Sequence, residues 1–162
     1  MTTMSSANDT DTDTHFQAFR HTLDATGVRS ALAYLLSLSE YRFIGIFKLI
    51  AGYAHALVYF DRDNPQVEEI DAVVETAAYC CFVRDSLGPL LIGDALRDPR
   101  FEHHVAKSNM RSYCGIPIMD PEGNLQGTLC HYDTEQRDPD RLDLPLLLRV
   151  ASALAYDRPA AP

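Results

Sequence analysis

Four cysteines, six histidines and several arginine–aspartate combinations are the residues in this 162-residue chain with the means to do chemistry. His103 and His104 are neighbours in sequence. Adjacent side chains on a helix diverge by about 100°, so the two rings cannot readily chelate one ion. His55 and His131 add further imidazoles, but no Cys/His spacing matches a zinc site. Cys80 and Cys81 are adjacent and lack the C-x-x-C spacing of a redox pair, which favours helix packing. The segment 94–101 has two readings. It is an irregular loop carrying binding groups, or Asp94 and Asp98 cap short turns, Pro99 fixes a bend and Phe101 plugs the core. Arg111 likewise holds an anionic group with its planar fork of donors, or pairs with Asp94 or Asp98.

These residues need a scaffold, and the composition suits one globular domain. Hydrophobic residues make up 46% and charged residues 23% of the chain. The 23 acidic side chains outnumber the 14 basic ones, for a net charge of −9. Such a surface repels phosphate backbones, and the single, scattered Lys and Arg form no basic stripe, so no nucleic-acid partner is expected. The chain opens on a polar, acidic stretch without the basic start and apolar core of an export signal. Four cysteines without that signal fit a reducing compartment, so the expected address is the cytoplasm. The most apolar stretch, 43–60, is interrupted by Lys48, Gly52 and His55 and falls short of a membrane span.

Residues 1–14 are rich in Ser, Thr and Asp and read as a disordered acidic tail. Thr14 then caps a helix carrying Phe16, Phe19 and Leu23 on one face, and Gly27 stops it. A second helix over 28–39 buries Leu32, Leu35, Leu36 and Leu38. Strands over 41–50 and 53–60 flank an Ala51-Gly52 turn, and alternation puts Tyr53, His55, Leu57 and Tyr59 on one face. That face mixes apolar bodies with polar tips, as a small-molecule pocket does. Residues 72–86 read as a helix, and 89–92 as a short, central, buried strand.

The hairpin over 111–119 and 124–133 turns at Asp120-Pro121-Glu122-Gly123. That loop predicts Ile118 opposite Leu125, Ile116 opposite Gly127 and Cys114 opposite Leu129, with Tyr113 and Cys130 paired on the other face. Cys114 and Cys130 then face opposite ways, which disfavours a disulfide. A helix over 144–156, with Pro145 in its first turn, closes the domain. Neighbouring antiparallel strands with helices before and after them predict an α+β fold with one antiparallel sheet.

The chain resembles the GAF domain family. The resemblance rests on Tyr79-Cys80-Cys81-Phe82-Val83, Pro89-Leu90, Asp94-Ala95, Asp98-Pro99-Arg100-Phe101 and Arg111-Ser112-Tyr113. It continues through Gly115-Ile116-Pro117-Ile118, the Pro-Glu-Gly turn and Gly127-Thr128-Leu129-Cys130 to Asp133. It implies an α/β sandwich over 15–157, followed by a tail at 158–162. Its six-stranded antiparallel sheet would carry the N- and C-terminal helices on one face and a pocket layer of helix and loops on the other. It also implies a small-molecule-binding sensor or regulatory module, often paired through its terminal helices and signalling through a partner protein. Tyr59, Asp94, Phe101, His104, Arg111, Tyr113 and Cys130 are the candidate ligand contacts.

The alternatives are a ligand-free dimerisation module and an enzyme. Free methionine-(R)-sulfoxide reductases are GAF-like and use a cysteine in the loop before the Arg-Ser strand, where this chain has Ala106. Without that thiolate the expectation is no catalysis. The family's Cys-His bilin attachment pair has no match in place, because Cys130-His131 lies in the final strand. The Asn-Lys-Phe-Asp-Glu signature of cyclic GMP sites is absent too. No metal, haem or bilin is expected, and the ligand is left unidentified.

Overall fold

The computed structural model describes residues 2–157, with side chains described over 9–155. The expected tail at 158–162 lies outside the described residues. Helix α1 spans Thr2–Thr26 and α2 spans Val28–Ser37, with Gly27 at a φ of 99° between them. The strands are β1 (Phe43–Ile50), β2 (Tyr53–Asp61), β3 (Val73–Val74), β4 (Leu90–Ile92), β5 (Ser112–Met119) and β6 (Leu125–Asp133). Helix α3 (Cys80–Ser86) lies between β3 and β4, and α4 (Leu144–Asp157) follows β6. The strands form one sheet in the order β3-β2-β1-β6-β5-β4, with every pair antiparallel.

Helices α1, α2 and α4 cover one face. Phe19, Leu32, Leu36, Val150 and Leu154 pack there on Ile44, Ile46, Ile116, Ile118 and Leu129. Fully burying side chains of this size contributes about 1.5–3 kcal/mol each before entropy is counted, so this layer holds the fold together. Helix α3 and the loops around 99–110 cover the other face, as the family resemblance implies.

Four expectations need correction. Most of the supposed tail is the first half of α1. The Thr12 hydroxyl donates to Asp143 at 2.6 Å and Arg149 pairs with Asp13, so polar contacts to the end and body of α4 hold a stretch with no apolar pattern. Leu38 lies beyond α2 and is 39% exposed. The expected helix over 72–86 is divided. Its β-branched Val73-Val74 pair extends along the edge of β2, a single 3-10 turn follows at Glu75–Ala77, and only Cys80–Ser86 is α-helical. The strand at Leu90–Ile92 lies at the sheet's edge, where its preceding Pro89 removes no ladder hydrogen bond.

Two bulges and one longer turn account for the differences of register. Ile46 pairs with Val58 but Phe47 pairs with Ala56, leaving Leu57 as an extra residue on β2. Side-chain alternation therefore flips there: Tyr59 shares its face with Ala54 and Ala56, while Tyr53 and His55 point the other way. On β6 the extra residue is Gln126, since Met119 pairs with Leu125 and Ile118 with Gly127. The connection at 120–124 is one residue longer than expected and the bulge adds another, so Cys114 lies opposite His131 and Tyr113 opposite Tyr132, two residues beyond the expected pairing. A shift of two preserves the faces, so Cys114 still points to the helices and Cys130 to the other side.

Candidate functional site

Cys130 lies in the middle of the sheet's second face, flanked by Gly45 on β1 and Gly115 on β5. Both neighbours must lack a side chain because aromatic rings occupy the space. A Cβ on Gly115 would sit 2.5 Å from the Tyr113 hydroxyl, and one on Gly45 would sit 2.8 Å from the Phe47 ring. The rings of Tyr113 and Phe47 thus lie close on the strands, on either side of the Cys130 thiol. The Tyr113 hydroxyl and the Cys130 sulfur are hydrogen-bonded at 3.0 Å.

Above this floor sits α3 with its approach. Tyr79 stacks edge-on against Tyr113 at 5.3 Å and donates its hydroxyl to the Met110 carbonyl at 2.9 Å. A cavity of about 70 Å³ remains between floor and cover, lined by apolar and aromatic groups that include Phe47, Ala54, Tyr79, Cys80, Cys130 and Tyr132. Its chemistry is that of a small, water-poor aromatic box.

Of the seven candidate contacts, Tyr113 and Cys130 line this cavity. The other five lie outside its lining. The bulge at Leu57 sets Tyr59 beside Phe43, with ring centroids 6.1 Å apart, where Arg29 donates to the Tyr59 carbonyl. Phe101 is buried behind Tyr79, supporting the cover from outside. His104 has both nitrogens engaged. Its Nε2 donates to the Ala78 carbonyl at 3.2 Å and its Nδ1 accepts from the Ala106 amide at 3.1 Å, so it ties the loop to α3's start. Arg111 forks onto both Asp94 oxygens at 3.1 and 2.7 Å, and Asp94 also accepts from the Leu96 amide. Those hydrogen bonds from Arg111 hold the Asp94 carboxyl below its ordinary range. Asp98 caps the 3-10 turn at Pro99–Phe101, as the structural reading had it.

The alternation of β1 and β6 could have located Phe47 and Tyr132 once β6 was centred on Cys130. Ala54, Ala78 and Tyr79 carried no such signal, because their placement depends on how the segment before α3 crosses the sheet.

The thiols are poor nucleophiles. Burial pushes Cys80 and Cys114 up to about 12 and Cys130 well above the ordinary thiol value, and it also raises Cys81. All four are free cysteines. Among the described residues, no three His, Cys, Asp or Glu side chains converge as a metal site would require. No described helix is long and apolar enough to cross a membrane.

The family model for the GAF domain matches residues 46–156. The chain belongs to the GAF domain family. The GAF domain of an Acinetobacter phosphoenolpyruvate-protein phosphotransferase superposes with a TM-score of 0.71 at 11% identity, covering 90% of each chain. A putative GAF sensor protein from Burkholderia vietnamiensis gives 0.67 at 14% identity, covering 92% of this chain and 96% of that one. The free methionine-R-sulfoxide reductase from Neisseria meningitidis, solved with its substrate, also gives 0.67 at 14% identity, covering 87% and 84%. At these identities the likeness is one of fold. No curated protein matches the sequence. This GAF domain therefore shares its architecture with a putative sensor protein and with an enzyme, and its own residues must decide between them.

Proposed function

We propose that this GAF domain is a non-catalytic regulatory module that binds a small, uncharged, largely apolar molecule between Cys130 and α3. The observation that carries this reading is the aromatic cavity itself, which sits over glycines that leave room for rings. Its lining holds no charged side chain, and the nearby ion-pair formers, Arg111 and Asp94, engage each other outside it. An anion entering the box would lose its hydration without gaining a partner. At about 70 Å³ the cavity lies below the roughly 300–1,000 Å³ of pockets for drug-sized ligands, so a larger guest requires α3 and its loops to lift.

The reductase reading lacks its nucleophile. Ala106 is buried at the position where the resemblance sets the reactive cysteine, and the four thiols present are held protonated. The ligand-free interaction module is favoured by one observation, the small size of the cavity. In either case we infer action in the cytoplasm, as a dimer through the terminal helices, with output passing to a partner protein.

Native mass spectrometry of freshly purified protein, compared with its denatured mass, tests the binding reading. The expected result is an excess mass of a small neutral molecule that disappears on denaturation. A native mass equal to bare polypeptide supports the interaction module instead. Turnover of free methionine sulfoxide with a thiol reductant would overturn the non-catalytic reading.

A further inference from the structure

The opposite face of the sheet carries a second unusual feature. His131 is 1% exposed and Tyr41 2% exposed, and their rings meet edge-on at 5.8 Å. Among the described residues, neither the His131 Nδ1 nor the Tyr41 hydroxyl finds a hydrogen-bond partner. Buried polar groups are nearly always paired in folded proteins, and two adjacent unpaired ones call for a reason. His131 lines a hollow of about 650 Å³ between α1, the end of α2, the 3-10 turn at Pro139–Arg141 and the start of α4. Tyr41 lines an adjoining hollow of about 300 Å³, and the two share Leu38, Ser39, Arg141 and Leu142.

We propose that this hollow is a second binding site, distinct from the aromatic cavity, and that it takes a small organic ammonium ion with an apolar body. Three features set that chemistry. Leu35, Leu91, Leu142 and Leu146 give the hollow apolar walls. Exposed Asp9, Asp11 and Asp140 stand along it, giving it acidic groups suited to a cation. The cation it contains, Arg141, pairs with Glu40 at 3.4 Å. Burial lowers the pKa of His131 to about 3, so at neutral pH its ring is uncharged and offers one donor and one acceptor nitrogen. A hydroxyl at the ligand's far end, able to donate or accept, pairs with the covered Nδ1 of His131 once the side chains flooring the hollow move aside, while the ammonium group stays among the carboxylates in water. The size falls within the range of small-molecule pockets.

Tyramine is the probe, because it joins an ammonium group, an apolar ring and a terminal hydroxyl. Calorimetric titration of the full chain is expected to show saturable tyramine binding, weaker phenethylamine binding and none for the carboxylate analogue of tyramine. Replacing the exposed pair, Asp11→Asn with Asp140→Asn, is expected to weaken tyramine by roughly threefold to tenfold. In His131→Phe, tyramine loses its advantage over phenethylamine. If that variant does not fold, the exposed aspartates carry the test. No saturable tyramine binding at millimolar concentration, or equal binding of the carboxylate analogue, overturns the proposal. So does binding that survives the double aspartate variant but is lost in Ala54→Leu, which would assign it to the aromatic cavity.

Discussion

On the helical face of the sheet, Ile44, Ile46, Ile116, Ile118 and Leu129 interdigitate with aliphatic side chains from three helices. On the other face, Gly45 and Gly115 leave the strands bare so that Phe47 and Tyr113 can lie over them, and a cavity remains beneath α3. The first arrangement maximises buried aliphatic area and is continuous along the strands. The second gives up side chains at two central sheet positions and covers the gap with a seven-residue helix and short turns. One face packs its strand-centre side chains against helices and leaves its hollow at the helix ends, the other retains space directly over the strands, and Cys130 and His131, adjacent in sequence, stand one on each.

Substitutions should reveal that division, beginning with the largest effect. Leu32→Ala, at a fully buried position under the helices, is expected to cost about 2–5 kcal/mol by chemical denaturation. It should leave binding in the aromatic cavity unchanged under folded conditions. A loss of binding from this variant would mean that the two faces are energetically one unit.

The next effect is a pH dependence carried by the helical face. The folded pKa of His131, about 3, lies below its ordinary 6.5, so the stabilisation is present above pH 6.5 and is lost as pH falls toward 3. Between pH 6.5 and 4.5, before most carboxylates titrate, this amounts to about 2–3 kcal/mol. Denaturation curves of wild type and His131→Phe across that window should diverge by this amount, and parallel curves would remove His131 as the cause.

On the cavity face the penalties are smaller and the binding effects larger. Gly115→Ala forces the Tyr113 ring off the strand and is expected to cost about 1–3 kcal/mol. It should also abolish ligand binding, which titration of the purified variant would show. Tyr113→Phe removes only the hydroxyl–sulfur contact, at about 0.5–1 kcal/mol, and should leave an apolar ligand bound.

The sequence makes the fold legible where local chemistry decides it. Asp120 and Gly123 announce the β5–β6 hairpin, and in the structure Asp120 accepts from the Glu122 and Asn124 amides as its side chain closes the turn. Alternation also put Tyr113 and Cys130 on a common face, which the structure confirms by their direct contact. Register was not legible, because the bulge residues Leu57 and Gln126 carry no distinctive signal and each moves every pairing beyond it. That is why Tyr59 was expected beside His55. Polar residues that hold structure through distant partners were equally hidden. Thr12 depends on Asp143, and His104 on Ala78, across separations that no local pattern encodes. Arg111 illustrates a further limit: its ion pair with Asp94 was one of two readings open to it, and only the geometry placed it outside the cavity.

On the proposed reading, the face bearing Cys130 retains its space for an uncharged apolar guest. Heteronuclear NMR titration of wild type and Ala54→Leu with benzene and with benzoate tests it most directly, because the larger side chain would occupy the cavity. Saturable shifts at Cys130, Tyr113 and Tyr79 are expected for benzene with wild type, and none for benzoate or for the filled variant. Benzoate binding at those residues, or benzene shifts unchanged by Ala54→Leu, would contradict it.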